Sequence, residues 1–122
     1  MNKISEAKYR YFLENENYKN IHSYFPSSEY NSFFSLREEA YCRIEIDAKI
    51  NSIWIHGLFS KKKGSGKELM KLILTSHSYL TIRINCIGTD LRSYYEQFGF
   101  VVYFEHKSNC GEKYYEMILL SQ

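Results

Sequence analysis

From Tyr41 to Asp47 the chain alternates apolar and polar side chains, with Cys42, Ile44 and Ile46 facing one way and Arg43, Glu45 and Asp47 the other. A period of two predicts a half-buried strand. After the turn-like AKIN, the segment SIWIHGLF (52–59) predicts the second strand of a hairpin. The period then lengthens. Leu69, Leu72 and Ile73, flanked by Met70 and Leu74, place an apolar stripe on a helix over about 66–77. Alternation returns in YLTIRINCI, where Leu80, Ile82 and Ile84 oppose Thr81, Arg83 and Asn85. Leu91, Tyr94, Tyr95 and Phe98 then recur at helical spacing, with Thr89 or Asp90 as N-cap and Gly99 as a left-handed stop. FVVYFEH and KYYEMILL predict a closing hairpin that turns at 108–111.

The N-terminal third reads differently. Residues 4–25 carry helical spacing, with Ile4, Tyr11, Phe12, Tyr18, Ile21 and Phe25 on one face, and Asn15–Asn17 divides them into two helices. Pro26 ends the second, because proline disfavours helical geometry in the residue before it. YNSFFSL predicts a short strand. The order is helices, two or three strands, helix, strand, helix, two strands. That order predicts an α/β (α+β) fold: a mixed, largely antiparallel sheet with helices packed on it. A length of 122 residues suits one domain, with an N-terminal helical region (1–39) leading into a core (40–122).

Composition narrows the function classes. A hydrophobic share of 44% with 17% aromatics lets a small core bury substantial area. A net charge of +2 is too mild to argue for a nucleic-acid partner. Cys42, Cys86 and Cys110 are odd in number and widely spaced, which fits neither a disulfide framework nor a zinc site, and no metal is expected. No apolar run approaches the roughly 20 residues a membrane helix needs, and MNKISEAKYR lacks a signal-peptide core. The expectation is a cytoplasmic protein with no membrane partner.

Chemistry concentrates at KKKGSGKELM (61–70). Gly64 and Gly66 stand where a strand gives way to a helix, so backbone N–H groups and the helix dipole can meet an anion among Lys61, Lys62, Lys63 and Lys67. Two better-known phosphate cradles fail on spacing. A Walker loop needs Gly at 61 and Ser or Thr at 68, and a dinucleotide fingerprint needs Gly at 69, where the chain has Lys61, Glu68 and Leu69. Taken alone, the segment is equally well a solvated turn.

A second segment changes the reading. LRSYYEQFGF (91–100) resembles the xxFYxKxGF segment of the GNAT superfamily of N-acetyltransferases, and KKKGSG resembles that family's pyrophosphate loop, with Lys61 in the place of Arg or Gln. The resemblance spans roughly residues 40–122 and keeps the family's element order. It implies a GNAT-like sheet with helices on both faces and acetyl-CoA as cosubstrate, bound where SIWIHGLF splays from TIRINCI. Leu58 and Phe59 would pair with the pantetheine arm through their backbone. Backbone N–H groups of Lys62, Lys63, Gly64, Ser65, Gly66 and Lys67 would hold the diphosphate, and Asn85 would touch the cofactor.

The implied reaction is direct attack of an amine on the thioester, with Tyr95 protonating the leaving sulfur. Glu45 and His56, on neighbouring strands, are the candidate bases. The expected acceptor is an amine on a small molecule, a protein or a tRNA; Glu38, Glu39 and Asp47 could draw a cation toward the hairpin. A homodimer is compatible with the resemblance. The alternative is a catalytically degenerate GNAT-fold module that binds or regulates.

Overall fold

The structure, a computed structural model, describes residues 1–15, 30–107 and 111–121. The alternating segments form strands β2 (Asn31–Leu36), β3 (Ala40–Asp47), β4 (Ser52–Ser60), β5 (Thr81–Ile87), β6 (Val101–Lys107) and β7 (Lys113–Leu119), preceded by a short β1 (Asn2–Ile4). The helices are α1 (Glu6–Asn15), α2 (Ser65–Ser76) and α3 (Thr89–Glu96). All strands join one sheet in the order β1-β2-β3-β4-β5-β7-β6, antiparallel except for the β4–β5 pair.

Helices cover both faces. On one, α2 buries Leu69, Met70 and Ile73 completely against Cys42, Ile44, Ile53, Ile55, Ile82 and Ile84. Each such side chain contributes about 1.5–3 kcal/mol relative to exposure. Tyr95 and Phe100, from α3 and the turn after it, extend the same core. On the other face α1 sets Tyr9 and Leu13, one helical turn apart, against Phe33, Tyr41 and Phe59. The rings there interlock, Tyr9 on Phe33 at 5.1 Å and Tyr41 stacked on Phe59 at 5.0 Å.

Several sequence expectations are corrected. Ile4 lies in β1, and the helix starts at Glu6; its inner face is Tyr9 and Leu13, while Tyr11 is 60% exposed. Leu72 and Leu91 are exposed too, leaving narrower stripes on α2 and α3. The N-cap of α3 is Gly88, without a side-chain cap, where Thr89 or Asp90 was expected. Gly99 does adopt the expected positive φ, +100°. Tyr18, Ile21, Phe25, Pro26 and Cys110 lie outside the described residues, as do positions 108–110 of the final turn.

Candidate active site

The parallel pairing of β4 with β5 runs from Ser52↔Thr81 to Ile55↔Ile84 and stops. Both strands continue. Beyond Ile55, β4 stays with β3 as far as Ser60, while beyond Ile84, β5 stays with β7 as far as Ile87. The sheet therefore splits at the carboxyl ends of its two parallel strands, where open α/β sheets bind ligands.

A bulge lies just past the split on the β4 side. Two steps of β3, from Arg43 to Tyr41, face three steps of β4, from His56 to Phe59, with Gly57 at φ +54°. An extra residue bends and twists its strand. The Tyr9 hydroxyl donates to the Gly57 carbonyl at 2.8 Å, tying the bulge to α1. Phe59 is buried in the α1 core and Leu58 packs against the main core, so these two residues offer the wedge backbone rather than side chains.

β4 ends beside the start of α2. Gly64 caps the helix at φ +91°, ψ −21°, a left-handed conformation that costs other residues about 1–2 kcal/mol. Gly66 packs close to β4, where an added Cβ would stand 3.3 Å from the Ser60 Cβ. The Ser65 N–H is spent on the Lys62 carbonyl, 3.1 Å away, and Glu68 N–H closes on the Gly64 carbonyl. The N–H groups of Gly66 and Lys67 remain at the helix mouth without an intrahelical acceptor, as the first turn dictates.

Acidic residues hold this loop from behind. Ser65 Oγ donates to Glu39 at 2.7 Å, Arg37 grips Glu68 with two bonds of 2.9 and 2.7 Å, and Lys62 lies 3.7 Å from Glu39. The Ser65 hydrogen bond, with Lys62 and Arg37 nearby, keeps the Glu39 carboxyl below the usual carboxylate range. Glu38 pairs with Lys8 at 2.7 Å. Glu38 and Glu39 thus serve the scaffold, not an incoming cation. Lys61 is set apart from its neighbours: its ammonium lies 4.7 Å from the Phe12 ring and 5.9 Å from Tyr41, toward α1. Lys63 and Lys67 are exposed at the loop.

Tyr95 is 8% exposed on α3, beside Tyr94 and Phe100. Burial, with the nearby Cys86 and Tyr94, pushes its phenol well above the usual value near 10, so it stays protonated across the physiological range. Cys86 is buried on the β5 side of that core, and burial raises its thiol as well, which disfavours a thiolate nucleophile.

Glu45 and His56 do come together. His56 Nε2 lies 3.0 Å from Glu45 Oε1, and the imidazole stacks on Trp54. Burial, then the charge of Arg43, lowers the His56 pKa below 6.5 in spite of Glu45. The neutral imidazole donates Nε2–H to Glu45, which leaves Nδ1 as an acceptor. His56 is the first β4 residue past the last β4–β5 pair, and Asn85, exposed, is its counterpart on β5. They form the two lips of the split.

Sequence reasoning missed Tyr9 and Arg37 and gave Glu39 another role; the three hold the bulge and the loop across long separations in the chain. A further pocket, lined by Leu74, Leu80, Ile82, Phe98 and Leu119, sits at the opposite end of β5, away from all these polar groups.

No family model and no curated protein matches the chain. Solved structures do. The ribosomal-protein-S18-alanine N-acetyltransferase from Escherichia coli superposes with a TM-score of 0.74 at 11% identity, over 99% of this chain and 92% of that one. The fold is that of the GNAT N-acetyltransferases. An acyl-CoA N-acyltransferase from Pseudomonas aeruginosa gives 0.59 at 16% identity over 91% and 85%. The aminoglycoside 6'-N-acetyltransferase from Enterococcus faecium gives 0.56 at 10% over 75% of each chain. In this chain the GNAT fold comes with its split sheet and with a glycine loop at the end of β4. Among the described residues no helix is long and apolar enough to cross a membrane.

Proposed function

We propose that the chain is an acetyl-CoA-dependent N-acetyltransferase that passes the acetyl group directly to an amine. The observation that carries this reading is the parting of β4 and β5 after Ile55 and Ile84, next to a helix start capped by Gly64 with no side-chain bond. The residues present suit coenzyme A. Past Ile55 the β4 backbone has no β5 partner, so Leu58 and Phe59 can take an extended pantetheine arm as an added strand. The N–H groups of Gly66 and Lys67 at the helix mouth suit the diphosphate, with Lys63 and Lys67 adding charge.

Each remaining group has a role in the transfer. His56 Nδ1 takes a proton from the arriving ammonium, and Glu45 fixes the imidazole tautomer. Tyr95 gives its hydroxyl proton to the sulfur as the nitrogen bonds the acetyl carbon and the carbon–sulfur bond breaks. The nitrogen's surplus proton passes to solvent, from which Tyr95 is reprotonated. Related folds are named for a ribosomal-protein alanine and for aminoglycosides, so this scaffold accommodates amines of very different size.

The test is a thermal-shift titration with acetyl-CoA, free CoA and ATP. A ligand at about 100 times its dissociation constant adds about 2.7 kcal/mol, a shift of several degrees in a domain of this size. Both CoA species are expected to shift the melting temperature and ATP to leave it alone. A folded protein that responds to none of them refutes the reading.

A further inference from the structure

The sheet face turned away from α2 and α3 carries a cation, Arg83, that neither the loop nor the transfer chemistry uses. Ile53, Ile55, Ile82 and Ile84 belong to the α2 core, so the alternating residues Trp54 and His56 on β4, and Arg83 and Asn85 on β5, face the other way. Trp54 stands opposite Arg83 in the last pair but one before the strands part. The indole neighbours two polar groups at once. The His56 imidazole stacks on it with ring centroids 6.0 Å apart, and the Arg83 guanidinium carbon lies 5.6 Å from it. The same guanidinium is 5.7 Å from the Tyr103 ring on β6.

These rings orient the guanidinium without neutralising it. Among the described residues no carboxylate forms an ion pair with Arg83. Glu116 feels its charge, but the oxygens of that carboxylate are engaged by the Tyr103 hydroxyl at 3.1 Å and by His106 Nε2 at 2.7 Å. Arg83 Nε is buried without a hydrogen-bond partner, while the side chain as a whole is half-buried, so its terminal nitrogens reach solvent. A buried donor left unmet works against the fold, and folding alone gives no reason for an arginine at this point. A planar fork with open N–H groups, held by aromatic neighbours, suits a carboxylate or a phosphate.

We propose that Arg83 is a specificity-determining residue: it receives an acid group on the same acceptor whose amine lies at His56, with the acceptor's stem lying across Trp54. The proposal rests on the acetyl-transfer reading and deepens it, because it narrows the acceptor to a small amine that also carries a carboxylate or a phosphate. The two ends lie within the reach of a small molecule. Trp54 and Arg83 are on strands still paired, about 4.8 Å apart, and His56 is two residues further along, about 6.6 Å. Arg83 moves no proton; it fixes the far end of the acceptor so that the amine meets Nδ1.

The experiment follows thiol release from acetyl-CoA with two matched pairs of amines, 6-aminohexanoate against n-hexylamine and glucosamine 6-phosphate against glucosamine. Wild type is compared with Arg83→Gln and Arg83→Lys. Wild type is expected to favour the acid-bearing member of at least one pair by about ten- to a hundredfold in kcat/KM, the worth of a hydrogen bond to a charged group. Which pair shows the preference tells carboxylate from phosphate. Arg83→Gln collapses that ratio toward one through the KM of the acid-bearing amine, while the KM for acetyl-CoA stays where it is. Arg83→Lys keeps the charge and loses the fork, so it retains part of the ratio, and it carries the test should Arg83→Gln fail to fold. A ratio near one for both pairs in wild type overturns the proposal. So does a ratio undiminished in the folded variants, or a wild type that binds CoA and acetylates none of the four amines. Absence of CoA binding in wild type is the separate failure of the acetyl-transfer reading.

Discussion

Tyr95 and His56 meet opposite demands with the same physical means, burial. For a phenol, burial favours the neutral acid, and Tyr95 is held protonated. For an imidazole, burial also favours the neutral form, and that is the form the proposed base must have. Tyr95→Phe removes the proposed proton donor without removing the ring that packs on Phe100. We expect kcat to fall by about two to four orders of magnitude, the usual worth of a positioned acid, with CoA affinity unchanged in equilibrium binding. An unaltered kcat would return Tyr95 to the core. The sign of the pH dependence follows from His56. Its folded-state pKa is depressed, so it is neutral above that value and loses base function as pH falls through it. The acid limb of kcat therefore has its midpoint below 6.5. Glu45→Gln removes an interaction that raises the pKa and moves the midpoint lower; Arg43→Gln moves it higher. Rates measured from pH 4.5 to 8 in the three proteins check both directions.

The N-terminus of α2 was legible and its supports were not. The stripe of Leu69, Leu72 and Ile73, with Met70 and Leu74 alongside, after two glycines announced both helix and loop, because those signals are local, although Leu72 is exposed. Glu39 under Ser65, and Arg37 on Glu68, join residues 26 and 31 positions apart. No period in the sequence encodes such pairs. The inner face of α1 was misread for a related reason. Phe12 does pack against that core, but Tyr9 and Leu13 fill it where Tyr11 was expected, and only the aromatic surface of β2–β4 decides which side is buried. β1, three residues long, is too short to show any period. The glycine loop carries its own prediction. Gly64→Ala must place a Cβ at φ +91° and is expected to cost about 1–2 kcal/mol of stability and to weaken CoA binding. Gly64→Asn, which tolerates that region better, is expected to recover most of both. Denaturation with and without CoA reads the two effects separately, and equal behaviour of the alanine and wild-type proteins would mean the loop needs no left-handed residue.

The molecule as a whole is two half-sheets that share four residue pairs and then part. The order of elements was readable because each segment shows its own period; the parting was expected from the family resemblance alone, since no local period marks where pairing stops. The side of the sheet that α1 covers is tied to the β4 half of the opening. Tyr9 lies in the aromatic core and spends its hydroxyl on the Gly57 carbonyl at the bulge. Tyr9→Phe keeps the ring and removes that donor, leaving a half-buried carbonyl short of a partner. The expected cost is about 1–3 kcal/mol, a fall of several degrees in melting temperature. If the bulge sets the wedge, the same variant also loses CoA affinity. Leu13→Ala separates the two consequences. It opens a cavity in the same core, at about 2–5 kcal/mol, but makes no bond to β4. With both proteins held well below their melting points, calorimetry should find CoA binding weakened in Tyr9→Phe and near wild type in Leu13→Ala. Equal affinities in the two would show that α1 stabilises the sheet without shaping the opening. A loss confined to Tyr9→Phe would place one end of the wedge under the control of a single hydroxyl on a helix 48 residues away in the chain.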